Sequence, residues 1–254
     1  MLRVSLDGPV LTAVLDSPPA NALGPAELQE LRHLIEGLAE SPGETRVLLL
    51  RGAERFFSGG VNISMIAEVA ASDGGYDQIA EFGTELQSVL GALEALPMPT
   101  VAALRGSAVG GGFELALACD FRVVGARSSF GLPETKLGLI PGGGGTQRLT
   151  RLAGRGTALR LIMLGELVKG DEAVRLGLAQ WVCPNDDVDE FALGLANRLA
   201  DHAPGALAAV KQCVSAAQVG DVGFDLEIRL TRDLLAQPDT TNRLQGFLAG
   251  SRKG

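Results

Sequence analysis

The sequence predicts an α/β fold closed by a run of helices, and three observations lead there. Two unbroken apolar runs of strand character, Arg46 to Leu50 and Val101 to Leu104, each feed a glycine-containing loop. After the second, Gly110, Gly111 and Gly112 give way to helical spacing through Leu115, Ala116, Leu117 and Ala118. From Asp187 onward only helical segments follow. A sheet layered with helices and carrying the active site is therefore expected over residues 1–186, with residues 187–254 an appended helical region. Helices that cannot bury their apolar faces in so thin a layer pack on the parent domain or on a neighbouring subunit.

The elements follow in order. Leu2 to Leu6 and Val10 to Leu15 read as strands joined at Asp7-Gly8, a hairpin signal. The prolines and glycine of Asp16 to Gly24 rule out regular structure there. Pro25 to Glu40 is a helix with proline in its opening turn and an apolar face of Leu28, Leu31, Leu34, Ile35 and Leu38. His33 lies off that face among charges and reads as solvated. The strand from Arg46 ends in a glycine-containing loop within Arg51 to Ile63, Ala67 to Gly75 reads as a further loop, and Tyr76 to Leu96 as a helix stopped by Pro97 and Pro99. Beyond the central motifs come a short helix from Gly156 to Gly165, a helix end at Asp171 to Leu178 and a strand from Ala179 to Cys183. The last helices are expected at Asp187 to Ala200, Gly205 to Ala217, Phe224 to Ala236 and Thr240 to Leu248.

Composition narrows the function. The 254 residues are 46% hydrophobic and 20% charged, as in a well-buried globular chain. A net charge of −8 disfavours nucleic acid and anionic membranes, so an anionic ligand needs a local basic patch. Cys119, Cys183 and Cys213 form no C-x-x-C pair and read as reduced thiols. Two histidines, His33 and His202, offer little for a zinc site, and no metal is expected. The N-terminus lacks the pattern of a signal peptide and no charge-free apolar run reaches about 18 residues, so a cytoplasmic protein is expected.

The chemistry is concentrated between Val101 and Arg151. Glycines at a strand-to-helix corner permit unusual dihedrals and close ligand approach. The first amides of the helix lack intrahelical partners and sit at its positive end, suited to a developing oxyanion. Glu114 follows this corner, and Glu134 comes twenty residues later in Phe130-Gly131-Leu132-Pro133-Glu134. Two carboxylates in apolar surroundings beside such a corner point to acid–base chemistry on a carbonyl compound.

These blocks, G-G-G-F-E at 110–114, P-E at 133–134 and G-L-I-P-G-G-G-G-T-Q-R-L at 138–149, closely resemble the crotonase (enoyl-CoA hydratase/isomerase) superfamily, and its enoyl-CoA hydratases in particular. The resemblance covers essentially the whole chain. It implies a spiral of repeated strand–strand–helix units and reversible syn hydration of a trans-2-enoyl-CoA to a 3-hydroxyacyl-CoA. Coenzyme A thioester is then the substrate, with no permanently bound cofactor. Glu114 is implied as the base that activates water and Glu134 as the acid that protonates the α-carbon. The amides of Val61 and Gly111 are implied as the oxyanion hole. Asn21, Ala22, Ser58, Gly59, Gly60, Asn62, Ile63, Gly110, Pro133 and Gly142 are implied as coenzyme A or substrate contacts, and residues 67–96 as the border of the acyl pocket. A homotrimer or dimer of trimers and a role in fatty acid metabolism belong to the same expectation.

The first loop departs from the family pattern. Gly59 stands for the usual Ala, Val61 is bulkier than the usual residue, Asn62 replaces Asp, and Ser64 falls where hydratases often carry a phosphate-contacting Lys. Arg55, Arg252 and Lys253 are the candidates to neutralise the coenzyme phosphates instead. The nearest rival is double-bond isomerisation or another acyl-CoA lyase reaction on the same scaffold, which can run with one carboxylate. A serine hydrolase would need a Ser–His pair, and neither histidine is suitably placed. A P-loop is absent. The acidic balance and both glutamates argue against a binding module without turnover.

Overall fold

The structure, a computed structural model, describes residues 1–53, 55–217 and 222–251. Ten strands form two sheets within these residues. The larger sheet contains β1 (Leu2–Asp7), β2 (Val10–Leu15), β3 (Val47–Gly52), β5 (Thr100–Leu104), β7 (Phe121–Gly125) and β10 (Trp181–Cys183), in that spatial order. The smaller contains β4 (Phe56–Ser58), β6 (Ser107–Val109), β8 (Ser129–Gly131) and β9 (Val168–Lys169). Only the β1–β2 and β8–β9 pairs are antiparallel.

The strand–strand–helix repeat is plain. Strand β3 runs into β4 and then α2 (Ile63–Ala70) and α3 (Gly75–Ala95). Strand β5 runs into β6 and α4 (Gly111–Leu117). Strand β7 runs into β8, a short 3-10 turn at Glu134–Leu137, and α5 (Gly145–Leu164). The first strand of each unit thus lies in the large sheet and the second in the small one.

Alternation along the strands explains why their sequences carry no polar face. Leu48, Leu50, Ala102 and Leu104 point into the main core with Phe57, Phe113 and Phe130. Their neighbours Val47, Leu49, Val101 and Ala103 point the other way, against Val188, Ala192, Leu195 and Ala196 of α7 (Val188–Ala200). Both faces of β3 and β5 are covered, so period-two alternation gives an unbroken apolar run. Helix α1 (Pro25–Glu40) begins and ends where the sequence predicts, buries Leu28, Leu31, Ile35 and Leu38, and packs beside α3. His33 is exposed. The chain continues through α6 (Gly170–Arg175), α8 (Pro204–Ala216), α9 (Val222–Leu235) and α10 (Pro238–Ser251).

Three local expectations are corrected. Residues 67–70, read as loop, complete α2, because the Asn62 side chain accepts from the Met65 amide and caps that helix. The run from Val101 does not lead straight into the triple glycine. It turns at Gly106, where a Cβ would lie 2.1 Å from the Arg55 carbonyl oxygen, and forms the extra strand β6. The helix expected from Gly156 begins earlier, at Gly145, and is kinked at Gly154, whose φ is 78°.

Candidate active site

The site is assembled at the ends of β4, β6 and β8, the three parallel strands of the small sheet. The loop after β4 presents Gly59, Gly60 and Val61, the turn after β6 presents Gly110, Gly111 and Glu114, and the turn after β8 presents Pro133 and Glu134. All eight line one cavity of about 450 Å³, with Ile63 and Gly142. Ile66, Ile79, Phe82, Leu86, Leu139 and Ile140 supply most of its remaining wall, which is almost wholly apolar. Lys136 also lines it. The elements bearing the two glutamates share an anchor, since the rings of Phe113 and Phe130 lie 6.1 Å apart.

Two backbone amides meet across this cavity. A Cβ built on Gly111 would sit 3.3 Å from the Val61 nitrogen, and one built on Gly60 would sit 3.2 Å from the Gly111 nitrogen. Gly60 has φ of 97° and leaves no room for a side chain, because its Cβ would approach the Val109 carbonyl oxygen to 2.6 Å. That conformation is open to glycine and precedes Val61 on the cavity wall. Gly111 opens α4, so its amide has no carbonyl four residues back within the helix and lies at the positive helix end. The Val61 and Gly111 nitrogens therefore lie close together on the wall that also carries both carboxylates.

The glutamates differ in their surroundings. Glu114 is 1% exposed, and its Oε1 accepts from the amides of Gly143 at 2.8 Å and Gly145 at 2.7 Å. Burial raises its pKa above the ordinary carboxylate value, and those two amides and the charge of Arg148 oppose that rise only in part. Glu134 stands at the start of the 3-10 turn, and its Oε2 is buried without a hydrogen-bond partner among the described residues. Burial, with the Glu114 charge adding to it, lifts Glu134 to about 7, against the partial opposition of its own backbone amide. One carboxylate is therefore held in place by two amides, and the other is poised to hold or release a proton near neutrality.

Four of the expected contact residues stand outside this cavity. Asn21, with φ of 53°, spends its side chain inside the protein: Oδ1 accepts from the Ser17 amide, and Nδ2 donates to the carbonyls of Phe56 and Phe57. Ser58 is fully buried, donating to the Asn21 carbonyl and accepting from the Gly60 amide. Asn62 is occupied as the cap of α2. Ala22 is half-buried beside the loop. Together these residues brace the first glycine loop, because the amides of Gly59 and Leu23 also donate to the carbonyls of Ala20 and Gly60. Arg55 is exposed and absent from the cavity wall. Arg252 and Lys253 lie outside the described residues. Sequence reasoning did not single out Gly143 and Gly145 as donors to Glu114; the signal available was the four-glycine run itself.

The geometry has clear counterparts. A family model described as enoyl-CoA hydratase/isomerase matches residues 7–250. The chain is 37% identical over 218 residues to a short-chain-enoyl-CoA hydratase of Clostridium acetobutylicum, covering 85% of this chain and 81% of the relative. It is 36% identical over 250 residues to a 2,3-dehydroadipyl-CoA hydratase of Escherichia coli, covering 97% and 95%. The crystal structure of an enoyl-CoA hydratase from Bacillus anthracis superposes with a TM-score of 0.90 at 34% identity, over 99% of this chain and 96% of that one. Fold and site together define an enzyme of the crotonase superfamily. The chain belongs to the enoyl-CoA hydratase/isomerase family.

Proposed function

We propose that the protein reversibly hydrates trans-2-enoyl-CoA thioesters to 3-hydroxyacyl-CoA, taking the coenzyme A thioester as substrate without a bound cofactor. The observation that carries this reading is the meeting of two carboxylates and two amides on one apolar cavity: Glu114, Glu134, Val61 and Gly111. The thioester oxygen would rest between the two amides, which oppose the negative charge of the enolate as it forms. Losing one such donor costs roughly 2.7–4 kcal/mol in comparable sites. Glu114 takes a proton from water as the water oxygen bonds to the β-carbon, and Glu134 gives a proton to the α-carbon.

The division of roles follows the family resemblance. Glu114, held by two amides, is assigned as the base, and Glu134, lifted to about 7, as the group that carries a proton to give near neutral pH. Being coupled, the two titrate as a pair. The apolar wall formed by Ile66, Ile79 and Phe82 receives the acyl chain. Residues 187–254 are proposed to hold a homotrimer or a dimer of trimers, supported by exposed Val210, Val214, Phe224 and Ile228. Among the described residues no helix is long and apolar enough to cross a membrane. A cytoplasmic place in fatty acid breakdown remains part of the proposal.

The test is loss of enoyl-thioester absorbance on short, medium and branched 2-enoyl-CoAs, with Glu114→Gln and Glu134→Gln alongside. Rapid loss that both variants nearly abolish supports hydration. No loss on any substrate overturns it, and turnover of a 3-enoyl-CoA would then assign double-bond isomerisation. Light scattering that gives a monomer would overturn the assembly.

A further inference from the structure

A second cavity of about 380 Å³ is lined by Arg148, whose side chain reaches the glycine loop that holds Glu114. Arg148 is 8% exposed and is absent from the wall of the first cavity. Its Nη1 donates to the Gly143 carbonyl at 2.8 Å, while Nε and Nη2 both reach Glu94 Oε2 at 3.0 Å. The amide of the same Gly143 donates to Glu114 Oε1. Gly143 is thus gripped from both sides, by the guanidinium through its carbonyl and by the carboxylate through its amide. The intervening Gly144 leaves room for this, since a Cβ there would lie 2.5 Å from Nη1.

We propose that Arg148 is a positioning residue: braced by Glu94, it fixes the glycine loop whose amides orient and hold the Glu114 carboxylate. The inference rests on Glu114 acting as the base of the proposed hydration. A planar fork with a permanent charge suits the task, because one end can pair with a carboxylate while the other holds a carbonyl at a set angle. The charged groups around Glu114 are Arg148 behind the loop, with Glu134 and Lys136 on the shared cavity wall. Around Arg148 itself are Glu94, Asp120, Arg122, Arg151 and Lys211.

The test is an NMR titration of isotope-labelled glutamate carboxyls in the ligand-free enzyme, with Glu114→Gln assigning the resonance, followed by kcat and KM against pH. In Arg148→Gln the Glu114 midpoint should rise, because the charge that lowers it is gone. The acid limb of kcat/KM should move with it while KM stays near the wild-type value. Arg148→Lys returns the charge without the fork, so it should recover most of the midpoint but not the full kcat. An unchanged Glu114 midpoint in folded Arg148→Gln overturns the proposal whatever its activity. If that variant fails to fold, Glu94→Gln decides: lowered kcat at constant KM supports the brace, and wild-type kinetics overturn it. Absence of hydration by the wild-type enzyme would defeat the functional reading alone, because the titration does not depend on turnover.

Discussion

Gly145 donates its amide to Glu114 Oε1 at 2.7 Å, and a Cβ at that glycine would stand 2.8 Å from the same oxygen. The donor that fixes the carboxylate must therefore lack a side chain. Gly145→Ala should displace Glu114 while leaving its charge intact, lowering kcat on the order of a hundredfold with a modest change in KM. Wild-type kcat on the substrate panel would show that the contact is not needed.

The carboxylates themselves give the next expectation. Glu114→Gln and Glu134→Gln preserve shape and remove proton transfer, so each should lower kcat by roughly a hundred- to ten-thousand-fold. The double variant should lose less than the product of the two effects, since both groups serve one addition and their charges are coupled. Steady-state kinetics of the three variants check this.

Gly60 precedes Val61, whose amide is proposed as the first oxyanion donor. Its φ is 97°, and a Cβ there would come within 2.6 Å of the Val109 carbonyl oxygen, so Gly60→Ala must move the loop that presents Val61. Loss of kcat on the order of a hundredfold is expected, together with about 1–3 kcal/mol of destabilisation, read by denaturant unfolding.

Glu134 links activity and stability to pH. With a folded-state value of about 7 against an ordinary 4.5, the folded protein keeps a proton that the unfolded chain releases. Stability is therefore full below the ordinary value and declines as pH rises through about 7. Glu134→Gln should remove that decline, gaining about 1–2 kcal/mol over wild type near pH 8 and little near pH 4, a figure already reduced for partial solvent screening. In the wild type, kcat/KM for hydration should fall as pH passes about 7, where Glu134 loses its proton.

Asn21 separates a brace from a ligand contact. Its three hydrogen bonds to the Ser17 amide and the carbonyls of Phe56 and Phe57 are internal. Asn21→Ala should cost roughly 2–3 kcal/mol of stability. A large rise in KM without destabilisation would instead restore the expected role at the coenzyme.

Much of this was legible in the residues. Proline at the first position and a regular leucine spacing set both ends of α1. Both glutamates and the two glycine loops stood out as patterns, and they do line one cavity. What escaped reading was carried by backbone or by distant partners. The amides of Gly143 and Gly145 have no side-chain signature. The Glu94 partner of Arg148 lies 54 residues earlier in the chain. Strand β6 has only three residues between a turn and a glycine run, too few for a period to show. Asn21 sat in a loop whose inward-facing bonds depend on β4, a segment far from it in sequence.

The small sheet has a consequence for which changes of length the chain can absorb. Strands β4, β6 and β8 have three residues each, run parallel, and hand over directly to the segments that carry the reacting groups. A one-residue insertion or deletion in any of them advances its cargo by about 3.3 Å and reverses its facing. The turn at residues 71–74, which joins the helices that carry Ile66, Ile79 and Phe82 to the cavity wall, has no such register to keep. Natural or engineered variation in length should accumulate there, while the short parallel strands keep a fixed residue count.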